Sequence, residues 1–328
     1  MNNVDHDVLE ALHSWQTQNI PCWLATVVQT FGSSPRPPGA WLALRGDGLL
    51  IGSVSGGCIE DDLKDRAQNG RLPSAHAELL TYGVTGEEAM RFGLPCGGTL
   101  KIVIEPVIDF AWVSALRLRI ARQELVTRTL NLATLTITLS EADRDSTLSY
   151  DGGNLTTVHG PRWRMLIIGA GQASEYLARM AQALDYQVIV CDPRAEYREV
   201  WPVPDTRLMT EMPDDAVLAL NVDSRTAIIA LTHDPKLDDM ALLEALKSPA
   251  FYVGALGSQR SNEKRRQRLA LFDLSAEEIA RLHGPVGLNI GSRTPPEIAI
   301  AILAHLISIR HQASTACRAA DIPQETLP

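Results

Sequence analysis

MLIIGAGQASEYLARMAQAL, residues 165–184, is the stretch that decides the fold. Four apolar residues, Met165 to Ile168, run into Gly169-Ala170-Gly171, and a helical pattern begins at Ser174. A short apolar run closed by glycines reads as a strand covered on both faces. The two glycines permit a tight turn and let a pyrophosphate approach the helix N-terminus. Asp192 ends the next strand, where an acidic residue would bind ribose hydroxyls. Ser174 stands where the third glycine of a dinucleotide fingerprint normally lets helix and strand pack closely. A nucleotide-binding turn and a Rossmann-like turn without any dinucleotide both fit.

Working outward, the second half of the chain alternates strand and helix. QVIVCDP, TAIIALTHD, AFYVGALGS and VGLNIGS read as further strands, with a shorter one at TRLM. KLDDMALLEALKS and NEKRRQRLALF read as helices between them. This alternation implies a parallel sheet with helices on both faces. The first half reads differently, as α+β. A helical stripe (Val4, Val8, Leu9, Ala11, Leu12, Trp15) precedes the strand CWLATVVQT and a hairpin turning at Gly46-Asp47-Gly48. A polar helix follows Cys58, and AELLTYG and TLKIVIEPV flank the loop carrying Cys96. A helix near 111–124 and the strands ATLTITL and LTTVH bridge the halves. The expected organisation is therefore an α+β domain over 1–162, a Rossmann-like domain over 163–312 and a C-terminal tail over 313–328.

The chain has 328 residues, enough for two cores. Its formal charge of −9 argues against nucleic acid as a main partner. The start, MNNVDHDVLEALHSW, has neither a basic nor an apolar leader segment, so no secretory leader is expected. The longest apolar run, Ile298 to Ile309, is about a dozen residues and too short to span a bilayer. Five cysteines without a C-x-x-C pair fit a reduced, cytoplasmic protein.

Several loops carry candidate chemistry. Gly257, Ser258 and Arg260 lead from a strand into a helix, where amides, a hydroxyl and a cation would suit a phosphate. A capping role for Ser258 fits equally well. The charges that follow, Lys264, Arg265, Arg266 and Arg268, read as a solvated helix face. His233, in Thr232-His233-Asp234, ends a strand on the same edge of the sheet, as a ligand donor or a structural residue. Gly291-Ser292-Arg293 precedes a helix opened by Thr294 and two prolines. In the first half Arg36 is the one charge of the rigid loop GSSPRPPG, and a fixed arginine suits carboxylate or phosphate. Cys58 and Cys96 each stand beside a glycine pair whose amides would stabilise a thiolate or an anion. Both also read as small core residues.

Taken in order, GSSPRPPGA, GSVSGGCIE, FGLPCGG, IIGAGQAS, CDPR, LTHD, YVGALGSQR and GSRTPPEIAIAI resemble the XdhC/CoxI family of xanthine dehydrogenase accessory factors. The resemblance runs from Gly32 to about Ile302. It implies a two-domain, non-catalytic chaperone that binds molybdenum cofactor, as molybdopterin or its cytosine dinucleotide. It further implies sulfuration of the cofactor by a cysteine desulfurase and delivery to an apo molybdenum hydroxylase of the xanthine dehydrogenase or aldehyde oxidase type. A molybdopterin cytidylyltransferase would be a further partner, and a homodimer the working form. By motif, the cofactor site would draw on Arg36, Cys58, Cys96, Gly169, Gly171, Asp192, His233, Gly257, Ser258 and Arg260, with Cys58 and Cys96 as possible molybdenum contacts. Gln172 and Ser174 depart from the His and Gly of many relatives. An NAD(P)-dependent oxidoreductase explains the Rossmann turn as well but gives the two glycine-set cysteines no role. A redox or metal sensor built on those cysteines is the third reading.

Overall fold

The computed structural model describes residues 4–16, 20–31, 36–83 and 99–320, and the backbone divides into two units, Met1–Pro161 and Arg162–Pro328. In the first unit, helix α1 (Val4–Trp15) precedes strands β1 (Cys22–Thr30), β2 (Trp41–Arg45) and β3 (Leu50–Gly52). Helix α2 (Cys58–Gln68) and strands β4 (Glu78–Tyr82) and β5 (Leu100–Pro106) follow. The five strands form an antiparallel sheet in the order β3-β2-β1-β5-β4. Both faces of β1 are covered, which is why CWLATVV lacks polar alternation. Trp23, Ala25 and Val27 pack against Ile59, Leu63 and Ala67 of α2. Leu24, with Trp41 and Ala43, packs against Val8, Leu9 and Leu12 of α1.

Helix α3 (Ala111–Ala121) leads into a second antiparallel sheet, ordered β7-β6-β9-β8. Its strands are β6 (Val126–Asn131), β7 (Ile137–Glu141), β8 (Ser149–Tyr150) and β9 (Asn154–His159). A buried ion pair interrupts the apolar core of this unit. Arg128 of β6 is fully buried and donates to Glu105 of β5 at 2.7 Å. The guanidinium lies over Trp112, 4.1 Å from the ring centroid, with Trp41 at 5.9 Å.

The second unit begins with β10 (Trp163–Ile168), α4 (Gln172–Ala183), β11 (Tyr186–Cys191), α5 (Ala195–Arg198) and β12 (Arg207–Met209). It continues with α6 (Pro213–Ala219), β13 (Thr226–Ala230), α7 (Pro235–Ala245), β14 (Tyr252–Ala255) and α8 (Gln259–Leu269). Helix α9 (Ala276–Ala280), strand β15 (Leu282–His283) and helix α10 (Pro295–Ala320) complete it. The six strands are parallel throughout, in the order β12-β11-β10-β13-β14-β15. Alternate residues of the four inner strands β11, β10, β13 and β14 feed two cores, as a sheet clad on both sides requires. Leu166, Ile168, Ile228 and Ala230 face α6, α7 and α8. Met165, Ile167, Ala227 and Ile229 face α4 and α10. The order of strands reverses between β10 and β13, and in such sheets a crevice opens there, outside the carboxyl ends.

Three sequence expectations change. VGLNIGS is not a strand: the sheet ends on β15, upstream of it. Gly284-Pro285 takes the chain off the sheet, and Leu288 then donates to the Ala301 carbonyl of α10. A Cβ on Gly287 would stand 2.9 Å from the Ala301 carbonyl carbon, so the segment's apolar residues follow a helix closely without pairing as a strand. The stretch 313–328, read as a tail, is helical as far as Ala320. Arg265 is not part of a solvated face but buried, as described below. No helix among the described residues is long and apolar enough to cross a membrane.

Candidate functional site

Four neighbouring strands, β11, β10, β13 and β14, bring their carboxyl ends to the crevice with the residues singled out in the sequence. At the centre, Gly169 has φ +104° and donates its N–H to the Cys191 carbonyl at 2.7 Å. A Cβ there would fall 2.9 Å from Thr232 Cα, so glycine lets the β10 and β13 loops touch. Gly171 is different. It is the N-cap of α4 in extended conformation, no side chain caps the helix, and a Cβ would meet nothing within 4 Å. The first turn of α4 thus presents amides and a positive helix end toward open space, the usual seat of a phosphate.

Asp192 lies at this site, but its carboxylate is engaged. It is fully buried, and Oδ2 accepts from Ala170 N at 2.8 Å and Arg194 Nη2 at 2.9 Å. Oδ1 accepts from Arg194 N at 3.1 Å and Nε at 2.9 Å. Burial works to raise its pKa, yet these bonds, led by the Arg194 side chain, outweigh it and hold the carboxyl below its ordinary range. Asp192 therefore binds the glycine turn to the following loop and leaves no oxygen for the ribose hydroxyls expected of it.

Across the crevice, His233 is exposed in the left-handed region, φ +61°. It sits between buried Thr232 and Asp234, whose side chain caps α7 by accepting from Lys236 N at 2.9 Å. A histidine held at positive φ is uncommon, and such residues gather at ligand sites. In the next loop Gly257 has φ +134° and Ser258 is the N-cap of α8, its hydroxyl accepting from Ser261 N at 3.1 Å. That hydroxyl closes the helix, while Arg260 in the first turn is exposed.

Beneath these loops lies a network that the sequence reading missed. Thr232 donates to Asp238 Oδ1 at 2.7 Å, and Asp238 pairs with buried Arg265 at 3.0 Å. Arg265 also donates to the Leu256 carbonyl at 3.0 Å and to Asp239 at 3.1 Å. The β13 and β14 loops are thereby held by one guanidinium. Burial pushes the Asp238 carboxyl upward against the hydrogen bonds from Thr232. Asp238 falls on the apolar face of α7 with Leu237, Ala241 and Leu242, and that helical spacing was the available signal.

In the first unit, Arg36 Nε donates to the Ser53 carbonyl at 3.1 Å, joining two loops that the resemblance placed in one site. The second loop, Ser53-Val54-Ser55-Gly56-Gly57, leads into α2, which Cys58 opens. Its amides do converge as an anion nest, but the anion is Glu60. Glu60 Oε1 accepts from the Val54, Ser55 and Gly56 N–H groups at 3.0, 2.8 and 2.9 Å and from Ser53 Oγ at 2.7 Å. Oε2 accepts from Gly57 N at 2.9 Å and from Ser55 Oγ. Burial opposes its ionisation, and these donors overcome that, bringing its pKa down to about 2. The sequence shows the capping spacing from Gly57 to Glu60, yet an acidic helix start reads as solvated. The Cys58 side chain and Cys96 lie outside what the structure describes. Among the described residues no group of three or more His, Cys, Asp or Glu is placed to hold a metal ion.

Two family models match the chain: the XdhC Rossmann domain over residues 165–306, and the XdhC and CoxI family over residues 15–83. YqeB, an uncharacterised protein of Escherichia coli K12, is 27% identical over 300 residues, 91% of this chain. The match spans 45% of YqeB's own length. PaoD of Escherichia coli K12, a molybdenum cofactor insertion chaperone, is 26% identical over 90% of this chain and 85% of its own. A crystal structure of a xanthine dehydrogenase from Bacillus halodurans superposes with a TM-score of 0.70 at 25% identity, covering 93% of this chain and 96% of that one.

Proposed function

Because the chain belongs to the XdhC and CoxI family, we propose that it binds molybdenum cofactor and delivers it to an apo molybdenum hydroxylase of the xanthine dehydrogenase type. The observation that carries this reading is the open, uncapped first turn of α4 at the switch point of the sheet. The residues there fit a pterin phosphate: bare amides at Gly171, a guanidinium at Arg194, and His233 and Gly257 on the facing loops. The bound cofactor supplies the molybdenum centre. The chain's own part is to seat the phosphate and hand the whole group on, with no turnover of its own.

On this reading Cys58 and Cys96 shield the dithiolene or touch molybdenum, and Arg36 joins the binding set. A cysteine desulfurase sulfurates the held cofactor, a molybdopterin cytidylyltransferase supplies the dinucleotide form where that form is used, and the carrier is a cytoplasmic homodimer. An aldehyde oxidase is the alternative client. The NAD(P)-dependent oxidoreductase reading is weakened by Asp192, whose four hydrogen bonds leave nothing for a ribose diol.

The test is transfer. Protein purified from a cofactor-producing host is mixed with apo-hydroxylase, and hydroxylase activity is followed. Two glycine variants separate binding from folding. Gly171→Ala places its methyl in open space, so the melting temperature should stay within about 2 °C. The same methyl intrudes between phosphate and amides, so bound pterin and transferred activity should fall at least about tenfold. Gly169→Ala meets Thr232 backbone at positive φ and should lower the melting temperature by several degrees. Undiminished transfer by Gly171→Ala would remove the crevice from the function.

A further inference from the structure

We infer that the β11 side of the crevice receives a phosphomonoester on Arg194 and not a ribose diol. The inference rests on the reading of the crevice as the pterin site and names the chemistry it selects. A carboxylate offers about four lone-pair directions. In Asp192 all four are taken, by Ala170 N and by three donors of Arg194. Nothing remains to accept from vicinal hydroxyls, which is what an acidic residue at this strand end does for a dinucleotide.

The same bonds make Arg194 a fixed cation. Nε and Nη2 are held by Asp192, and the guanidinium lies over the Tyr197 ring at 4.0 Å. Behind it, Arg198 donates to the carbonyls of Asp192 and Pro193 at 2.8 and 2.9 Å, so the loop is closed from within. Among the described residues the Nη1 edge of Arg194 has no hydrogen-bond partner, and the side chain is 25% exposed. Planar N–H pairs of this kind match phosphate oxygens. Asp234 also acts on Arg194 electrostatically, but its carboxylate is turned onto Lys236 N–H. A phosphomonoester carries up to two negative charges, and its other face meets the positive end of α4. A pterin that ends in phosphate satisfies this arrangement. One extended by a nucleoside would bring ribose hydroxyls to a strand end with no acceptor left.

Neopterin and neopterin monophosphate differ by a single phosphomonoester, and pterin fluorescence reports the binding of each. In the wild type the monophosphate should bind at least about tenfold more tightly, a preference that weakens with added salt. Arg194→Met should reduce the preference to less than about threefold, and Arg194→Lys should keep part of it. Because Arg194→Met leaves Asp192 buried without its cation, the Asp192→Asn/Arg194→Met pair is measured beside it, with folding checked by thermal melting. Equal binding of the two pterins by the wild type, a preference that survives both methionine variants, or tighter binding of NADH than of either pterin would overturn the inference. Protein from a cofactor-making host separates the two levels. Pterin that co-purifies undiminished with Arg194→Met overturns this inference alone. Pterin absent from the wild type overturns the proposed function and this inference with it.

Discussion

Alanine at Glu105 is expected to destabilise the first unit by about 3–5 kcal/mol, a large part of a domain's whole stability. Arg128 and Glu105 sit at the centre of that unit with 0% and 2% exposure. Their bond of 2.7 Å, with the Trp112 face against the guanidinium, is what compensates the loss of water around both charges. Removing the carboxylate leaves a cation in a site where water cannot follow. Arg128→Met should cost a similar amount for the converse reason. The double change Glu105→Leu/Arg128→Met should be milder than either single change, since a buried pair replaced by apolar side chains leaves no orphan charge. Urea unfolding followed by tryptophan fluorescence measures the cycle, because Trp41 and Trp112 flank the pair. Additive single-variant losses would show that the two charges are not coupled.

Glu60 should carry an effect of comparable size with a distinct signature in pH. Its carboxyl titrates near 2 in the fold against 4.5 as the ordinary value, and it is 9% exposed. That depression corresponds to on the order of 3 kcal/mol of stability at neutral pH. The unfolded chain takes up the proton first as pH falls. The contribution is therefore complete above about 4.5 and disappears as pH falls from there toward 2. Glu60→Gln keeps the shape but turns an amide donor toward the donors of the loop, so it should lose most of this stability at pH 7. It should also flatten the acid limb of the stability profile between those two values. Urea midpoints of wild type and variant, compared at pH 7 and pH 3, should converge at the lower pH. A gap that persists unchanged would mean that the nest does not owe its shape to the Glu60 charge.

Much of the second unit was legible because parallel strands covered on both faces must be continuous apolar runs. MLII, QVIV and TAIIA admit little else at that length. VGLNIGS has the same composition, but packing along α10 satisfies it as well as a ladder would, and residue pattern alone does not distinguish the two. How the crevice loops pair was less legible than where they stand on the sheet. Gly169, Gly171, His233 and Gly257 all stand at the carboxyl ends of neighbouring strands, where the motif spacing put them. What the sequence hid is how polar groups pair. Asp192 and Arg194 are two residues apart in CDPR, and only the acid was given a role from the sequence, on ribose hydroxyls. In the fold they bind each other. Glu60 likewise reads as one charge of a polar helix, and Arg265 as one of four on an exposed face. Both are buried because backbone donors in one case, and two aspartates in the other, supply the partners that a charge needs to leave water.

We propose that this chain carries molybdenum cofactor in the crevice at the N-terminus of α4. Wild-type protein purified from a host that makes the cofactor tests it most directly, with bound material oxidised and read for pterin fluorescence, molybdenum and released CMP. Stoichiometric pterin and molybdenum are expected, without CMP if Arg194 receives a terminal phosphate. No pterin and no molybdenum, together with saturable NADH binding that Gly171→Ala abolishes, would contradict it and return the crevice to an oxidoreductase.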